Sequence, residues 1–405
     1  MTTTTTTTAT TQVLTAAPTR MSLAWFALSG MLALMLAMGI GRFAYTALLP
    51  QMREAGWLTH SEGALLAASN YLGYLLGALW TAFSRQANPV RRLTAGLLIS
   101  VATTLAMGFD LGFTLWCVVR FSAGIASALV YVYATGIVLR RLMAVGAPGW
   151  SMLHYMGVGA GITLSALAVQ LLLSLGLGVA QGWWYLGALA GIAALCAMAG
   201  LMPAGRSALT NGEQARQQTA TAPPDMPMWL TASYALAGFG YIINMTFLPV
   251  MLRTGTGSSN AALTGWLIVG IAAMPATAIW VRLALRNGTY RTLITCTLVQ
   301  AIGVALPVLI PGITSAFIGA ALLGGTFMGI AGLAQWLARL PDPQASARRI
   351  GFITAFYGLG QIAGPLLVAW LDRGNDFTLP VLLAAAALLV SAMLLGVSRR
   401  LERLA

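Results

Sequence analysis

The 405 residues include 22 arginines and no lysine against nine acids, a net charge of +13, yet only 8% of positions are charged and 58% are hydrophobic. A soluble domain of this size cannot cover its surface with so little charge, so the chain is a polytopic membrane protein. The arginines are scattered among short loops, without the basic patch or aromatic-basic alternation that grips nucleic acid, which excludes nucleic acid as a partner.

Residues 1–20 form a Thr-rich tail that lacks the apolar core and cleavage pattern of a signal peptide, and they are expected to be a disordered cytoplasmic tail. Twelve apolar segments follow, at 24–49, 60–83, 93–110, 112–139, 149–175, 182–202, 228–251, 261–284, 292–311, 313–338, 349–371 and 379–398. Each is of bilayer-crossing length. Most linkers are short, Phe109-Asp110-Leu111 being barely a turn, so consecutive helices are antiparallel neighbours. The exception, 203–227, is polar, rich in Pro, Thr, Ala and Gln, and lies halfway along the chain, where a tether between two bundles belongs. The predicted architecture is all-α, with a six-helix bundle over 21–202, a cytoplasmic linker over 203–227, a second six-helix bundle over 228–400 and a cytoplasmic tail over 401–405.

Charge predicts the topology. With the N-terminus in the cytoplasm, one side receives seventeen arginines, including Arg20, Arg85, Arg91, Arg92, Arg140, Arg141 and Arg349, while the other receives Arg53, Arg253 and Arg373. The positive-inside rule then places both termini and the linker in the cytoplasm. Trp25, Trp150, Trp183, Trp184, Trp229 and Trp370 fall near segment ends, where interface anchors sit.

The two halves repeat. Gly41, Leu49, Pro50 and Met52 of the first segment fall on Gly240, Leu248, Pro249 and Met251 of the seventh, an offset of 199 residues. Gly157-Val158-Gly159-Ala160-Gly161 in the fifth segment resembles Gly358-Leu359-Gly360 and its continuation to Gly364-Pro365 in the eleventh, at an offset of 201. Parallel duplication of six-helix halves is a common transporter plan, and small residues let helices approach closely and slide.

Removing the loop arginines leaves Arg42 and Arg120 within the bilayer. A guanidinium at that depth is expensive, and a polar cavity is its default setting. Arg42 lies one helical turn from Tyr45, and no apolar segment offers it a firmly buried carboxylate. It is either a structural arginine on carbonyls or the anchor of an anionic ligand, which a guanidinium can bind bidentately. Arg120 has Asp110 and Glu62 as its nearest candidate partners, and a structural ion pair competes with a transport role. Asn70 with Tyr74 beside Tyr71, Tyr241 with Asn244, and Tyr357 with Gln361 stand three or four apart, each pair able to share an inward helix face or to make helix-helix hydrogen bonds. His154 is the histidine expected in a membrane segment, near its inner end and interfacial, with a proton role the weaker alternative.

Cys117, Cys196 and Cys296 lie in apolar runs at unrelated spacing and give neither a disulfide framework nor a metal site. There is no phosphate-binding glycine-lysine loop, no HExxH and no nucleophile with its base, so neither an enzyme nor a cofactor is predicted.

Several motifs together resemble the major facilitator superfamily, in particular its YbfB/YjiJ-like bacterial group. They are Gly41-Arg42-Phe43-Ala44-Tyr45 with Leu48-Leu49-Pro50, Ser69-Asn70-Tyr71-Leu72-Gly73-Tyr74, Arg120-Phe121-Ser122-Ala123-Gly124, Gly238-Phe239-Gly240-Tyr241 with Thr246-Phe247-Leu248-Pro249, and Gly360-Gln361-Ile362-Ala363-Gly364-Pro365. The resemblance spans all twelve segments. It implies a major facilitator fold of two pseudo-symmetric six-helix bundles, an inner-membrane location and alternating access at a cavity between the halves, often coupled to protons. Arg120 and Gly124 match the superfamily's fourth-helix motif, associated with proton handling. The loop after the second segment, Ser84 to Arg92, keeps the basic end of the family's gate in Arg91 and Arg92 but lacks its aspartate, and the fifth segment lacks the antiporter proline.

The reading is a secondary transporter, by symport or antiport, of a small organic solute, most directly a carboxylate. Arg42 is its anchor, and Tyr45, Asn70, Tyr74, Tyr241, Asn244, Tyr357 and Gln361 form the wall. Arg120, Glu62, Asp110, His154, Arg91 and Arg92 are candidates for coupling or gating. A monomer in the lipid bilayer suffices for this mechanism. Proton-coupled efflux of apolar or cationic drugs is the alternative within transport, and a non-transporting sensor or scaffold the alternative outside it.

Overall fold

The computed structural model describes residues 20–83, 88–210, 226–339, 346–371 and 373–404. The Thr-rich tail up to residue 19, the linker core 211–225 and the start of the loop after the second segment, 84–87, lie outside the described residues.

The described residues are almost all helical. In order, the helices are α1 (Arg20–Leu34), α2 (Ala44–Glu54), α3 (His60–Phe83), α4 (Pro89–Ala106), α5 (Gly112–Ala144), α6 (Ser151–Ser174), α7 (Val179–Thr210), α8 (Met228–Thr256), α9 (Ser259–Asn287), α10 (Thr289–Leu309), α11 (Ile313–Arg339), α12 (Ser346–Leu371) and α13 (Thr378–Leu404). A π-helical stretch, Met35–Ile40, joins α1 to α2, and the three together make the first predicted crossing. The twelve expected segments are thus all present, extended by several residues at some ends. Two boundaries move: α7 continues through Thr210 into the expected linker, and α13 runs to Leu404 where a tail was expected. Arg, Leu, Glu and Ala are strong helix formers, which favours continuing the helices at those ends.

Among the described residues, ten helices are long and apolar enough to cross a membrane. α3 and α4 are not among them, because α3 carries Ser69, Asn70, Tyr71 and Tyr74 and α4 carries Arg91, Arg92, Thr103 and Thr104. Apart from the exposed Arg91, these polar residues lie on packed helices: α3 lies between α5 and α12, and α4 between α5 and α7.

Most helix contacts fall within two groups, α1–α7 and α8–α13, and the groups meet along α3 with α12, α6 with α9, and α2 with α8. Glycine makes these approaches possible. A Cβ on Gly159 of α6 would sit 2.6 Å from the Gly270 carbonyl oxygen of α9, and one on Gly358 of α12 would sit 3.1 Å from the Leu75 side chain of α3. Within the first group, Cβ atoms on Gly73 and Gly124 would meet the Phe121 and Asn70 carbonyl oxygens at 2.0 and 2.1 Å, so α3 and α5 touch backbone to backbone.

Candidate functional site

The centre of the molecule is organised by the break in the first crossing. Met38-Gly39-Ile40-Gly41 places two poor helix formers in close succession, and here the backbone widens: the Gly41 amide donates to the Leu36 carbonyl at 2.7 Å and the Phe43 amide to the Met38 carbonyl at 3.2 Å. A turn over residues 41–43 follows before α2 begins. Helical bonding resumes only beyond Arg42, which leaves the Gly41 and Arg42 carbonyls free for side-chain donors.

Arg120 of α5 fills that role. Its guanidinium donates to the Gly41 carbonyl at 3.0 Å and to the Arg42 carbonyl at 3.1 Å, and it lies 4.7 Å from the Tyr45 ring centroid. The ion pair weighed for it with Asp110 or Glu62 is not made. Asp110 is exposed in its turn, and Glu62 accepts from the backbone amide and hydroxyl of Thr59, each at 2.8 Å, as the cap of α3. Arg120 therefore braces the segment that carries Arg42.

The Arg42 side chain is buried. Its guanidinium lies 4.3 Å from the Tyr74 ring centroid, 4.8 Å from that of Tyr71 and 5.4 Å from that of Phe43. One terminal nitrogen donates to Gln361 Oε1 of α12 at 2.8 Å, while Nε is buried without an acceptor. Gln361 Nε2 in turn donates to the Tyr241 hydroxyl of α8. Arg42 and Tyr241 occupy equivalent positions in the two repeats, offset by 199 residues, and both bind the same amide. A desolvated cation over aromatic faces gains about 2 kcal/mol, which offsets only part of the cost of burying the charge.

An aromatic column continues from Tyr241. Tyr241 stacks on Phe327 at 5.9 Å and 5° and on Tyr357 at 5.6 Å and 17°, and Tyr357 stacks on Tyr234 at 4.3 Å and 21°. Among the described residues no Asp or Glu is buried: Glu54, Asp110 and Asp376 are exposed and Glu62 is half-buried.

The predicted residues thus divide. Arg42, Tyr74, Tyr241, Tyr357 and Gln361 form one connected cluster. Tyr45 does not join it, because the turn at 41–43 ends the helical register that would have stacked it over Arg42. Its hydroxyl donates to the Gly63 carbonyl at 2.7 Å. Asn70 Nδ2 donates to the Arg120 carbonyl at 2.9 Å and Asn244 Nδ2 to the Val304 carbonyl at 3.1 Å, so both tie neighbouring helices together. His154 is fully buried between helices, with Nε2 3.0 Å from the Thr135 hydroxyl. Arg91 is exposed, and Arg92 donates to the Tyr133 hydroxyl at 2.5 Å and lies 4.9 Å from the Trp80 ring centroid. Arg349, assigned to a loop by its position, is buried and donates to the Ala338 carbonyl at 3.0 Å near the end of α11.

Sequence reasoning missed Phe327 and Tyr234 of the column, and it missed the bond between the Tyr71 and Thr246 hydroxyls at 2.8 Å. Isolated aromatics in apolar helices carry no spacing signal. Only the packing of α8, α11 and α12 brings them together.

On the face opposite the two described chain ends, the halves close against each other. Arg253 Nε and Glu54 Oε1 are 2.5 Å apart, Arg53 donates to Asn375 Oδ1 at 3.0 Å, and the Thr46 hydroxyl donates to the Met245 carbonyl at 3.1 Å. The His60 ring lies 5.4 Å from Phe377 and 6.4 Å from Phe247.

Comparison with known families agrees with this architecture. The family described as the uncharacterised MFS-type transporter YbfB matches residues 34–396. The chain belongs to that family. It is therefore an MFS-type carrier, a multi-pass inner-membrane protein of bacteria that moves a small solute across the membrane, and not an enzyme. Solved structures share the fold at low identity. The nucleoside transporter NupG superposes with a TM-score of 0.67 at 13% identity, covering 94% of this chain and 100% of that one. A D-xylose-proton symporter superposes with a TM-score of 0.68 at 16% identity, covering 93% and 97%. A point mutant of NupG gives 0.66 at 14%, covering 93% and 99%. No curated protein sequence matches the chain.

Proposed function

We propose that this YbfB-family carrier transports a small organic anion by alternating access, with Arg42 as the charge anchor. The observation that carries the reading is a buried guanidinium whose one side-chain hydrogen-bond partner is a neutral amide, in a chain whose described carboxylates all lie outside the core. An uncompensated charge in a low-dielectric site attracts an anion far more strongly than it would in water. A carboxylate brings the charge that Gln361 lacks and can engage the fork of the guanidinium bidentately. Tyr74, Tyr241, Tyr357 and Gln361 make the wall.

The same charge weighs against efflux of cationic drugs, because a fixed cation repels them. The pseudo-symmetric duplication supports alternating access. The closed face opposite the chain ends is the periplasmic one by the arginine distribution, so this conformation is shut on the periplasmic side.

The test is ligand-induced thermal stabilisation of the detergent-purified protein against mono- and dicarboxylates, sugars, amino acids and lipophilic cations, beside Arg42→Gln. A ligand at a hundred times its Kd stabilises by about 2.7 kcal/mol. Carboxylates are expected to raise the Tm of the wild type and not of the variant. Stabilisation of both proteins by lipophilic cations would make Arg42 structural and overturn the reading.

A further inference from the structure

We infer that Tyr71 is the inner gate residue of this carrier: it joins the Arg42 site to the seal between the halves on the face opposite the chain ends. The inference rests on the alternating access of the proposed function and is independent of which solute is carried.

Tyr71 belongs to both the site and the seal. Its ring centroid lies 4.8 Å from the Arg42 guanidinium, within the first half, and its hydroxyl lies 2.8 Å from the Thr246 hydroxyl of α8, in the second. Both side chains are buried. The direction of the bond follows from a count of protons. A threonine hydroxyl carries one hydrogen, and that of Thr246 goes to the Ile242 carbonyl at 2.8 Å. Tyr71 is therefore the donor and Thr246 the acceptor.

The sequence of α8 explains why the second half presents acceptors here. Pro249 has no amide hydrogen, so the Met245 carbonyl four residues earlier lacks its helical donor. The Thr46 hydroxyl of α2 takes that place at 3.1 Å. Met245 and Thr246 thus both accept from the first half, one from α2 and the other from α3. Together they form the inner layer of the seal. Thr246 precedes Arg253 by seven residues, so at about 1.5 Å per residue this layer lies about 10 Å inside the Glu54–Arg253 pair.

Depth separates the two layers in kind. Glu54 and Arg253 are partly exposed, so water replaces each as the partner of the other when the halves part. The Tyr71 hydroxyl has no such substitute at hand, because it lies in the buried core beside Arg42. Moving α8 away from α3 strips the phenol of its acceptor, and a buried donor left unmade is costly. The phenol is satisfied again only when water has reached the depth of Arg42. Tyr71 thereby makes the parting of the halves on this face and the exposure of Arg42 a single event.

The test breaks this one bond from either side. Tyr71→Phe keeps the ring over Arg42 and deletes the donor, and Thr246→Val deletes the acceptor. Each is placed in the full-length protein lacking the native cysteines, with a single cysteine at Val250, buried on α8 between the two layers, or at Leu186, buried inside the first half. Right-side-out membrane vesicles are treated with a membrane-impermeant maleimide. Both variants are expected to raise labelling at Val250 about two- to twelvefold, the range that one net hydrogen bond supplies, and to leave Leu186 protected. The double variant is expected to match the single ones, because all three remove the same bond. Wild-type labelling at Val250 in Tyr71→Phe would overturn the gate role, and so would effects that multiply in the double variant. A parallel rise at Leu186 would also overturn it, by revealing a loosened fold. None of these outcomes bears on the anion reading, which the thermal comparison of wild type with Arg42→Gln decides.

Discussion

Glu54 and Arg253 are the same position in the two repeats, 199 residues apart, and they are bonded to each other across the interface between the halves. Thr46 and Met245 stand in the same relation one layer deeper, and they too are in contact. Equivalent residues can touch only on the pseudo-twofold axis, so α2 and α8 run along that axis and cross it on the face opposite the chain ends. Duplication alone would have put identical residues there. The present pair has diverged to opposite charges, which turns a self-facing position into an attractive one.

This relationship predicts a charge-sensitive latch. The pair is partly exposed, and such pairs contribute about 0.2–1 kcal/mol, so its loss shifts an opening equilibrium by about 1.4- to fivefold. Arg253→Glu is expected to raise labelling of a cysteine at Val250, buried beside the latch, by a membrane-impermeant maleimide in a background lacking the native cysteines. The double variant Glu54→Arg with Arg253→Glu is expected to restore the low rate. Equal labelling in all three proteins would remove the latch role.

Gln361→Glu places a carboxylate beside Arg42 without changing its size. The buried pair satisfies the guanidinium internally, so bound carboxylates are expected to weaken at least tenfold while the unliganded protein keeps its Tm. Retained carboxylate binding in this variant would show that the ligand does not compete for Arg42.

Arg120→Gln removes the donors on two buried carbonyls. Leaving such acceptors unsatisfied costs about 1–3 kcal/mol each, so a lowered Tm is expected even without ligand. Arg120→Lys keeps the charge and part of the bonding, and should fall between the two. An unchanged Tm in Arg120→Gln would mean that water replaces the guanidinium at the helix break.

Gly270→Leu should be far more damaging than Gly136→Leu. A Cβ at Gly270 would sit 2.5 Å from the Thr163 amide nitrogen of α6, whereas a Cβ at Gly136 meets nothing within 4 Å. Separating α6 from α9 is expected to lower both Tm and solute flux in liposomes, while the Gly136 variant behaves as wild type. Comparable flux in the two would show that this contact is not needed through the cycle.

Glu62→Gln and Asp110→Asn are expected to leave flux and its pH dependence unchanged. Glu62 is a helix cap and Asp110 an exposed turn residue, so neither has access to the central cluster. Loss of the pH response in either variant would return that carboxylate to the coupling path.

Composition and periodicity by themselves determined the membrane class, the twelve segments, the duplication and the sign of the central charge. Those properties follow from local chemistry: an apolar run of bilayer length has one stable solution, and a repeat is visible as a repeat. Arg42 was legible because charge within an apolar run is conspicuous, and Gln361 and Tyr241 because polar groups in such runs are rare. Tertiary structure alone decided which of those groups meet. The π-helical break before Arg42 rotated Tyr45 away from it, and packing assigned Asn70 and Asn244 to carbonyls of neighbouring helices. It also buried His154 and aligned Phe327 and Tyr234 with Tyr241 and Tyr357. Spacing along one helix states which side chains share a face. It does not state what another helix, hundreds of residues away, presents to that face, and this is why the Arg42–Gln361–Tyr241 chain became visible only in the fold.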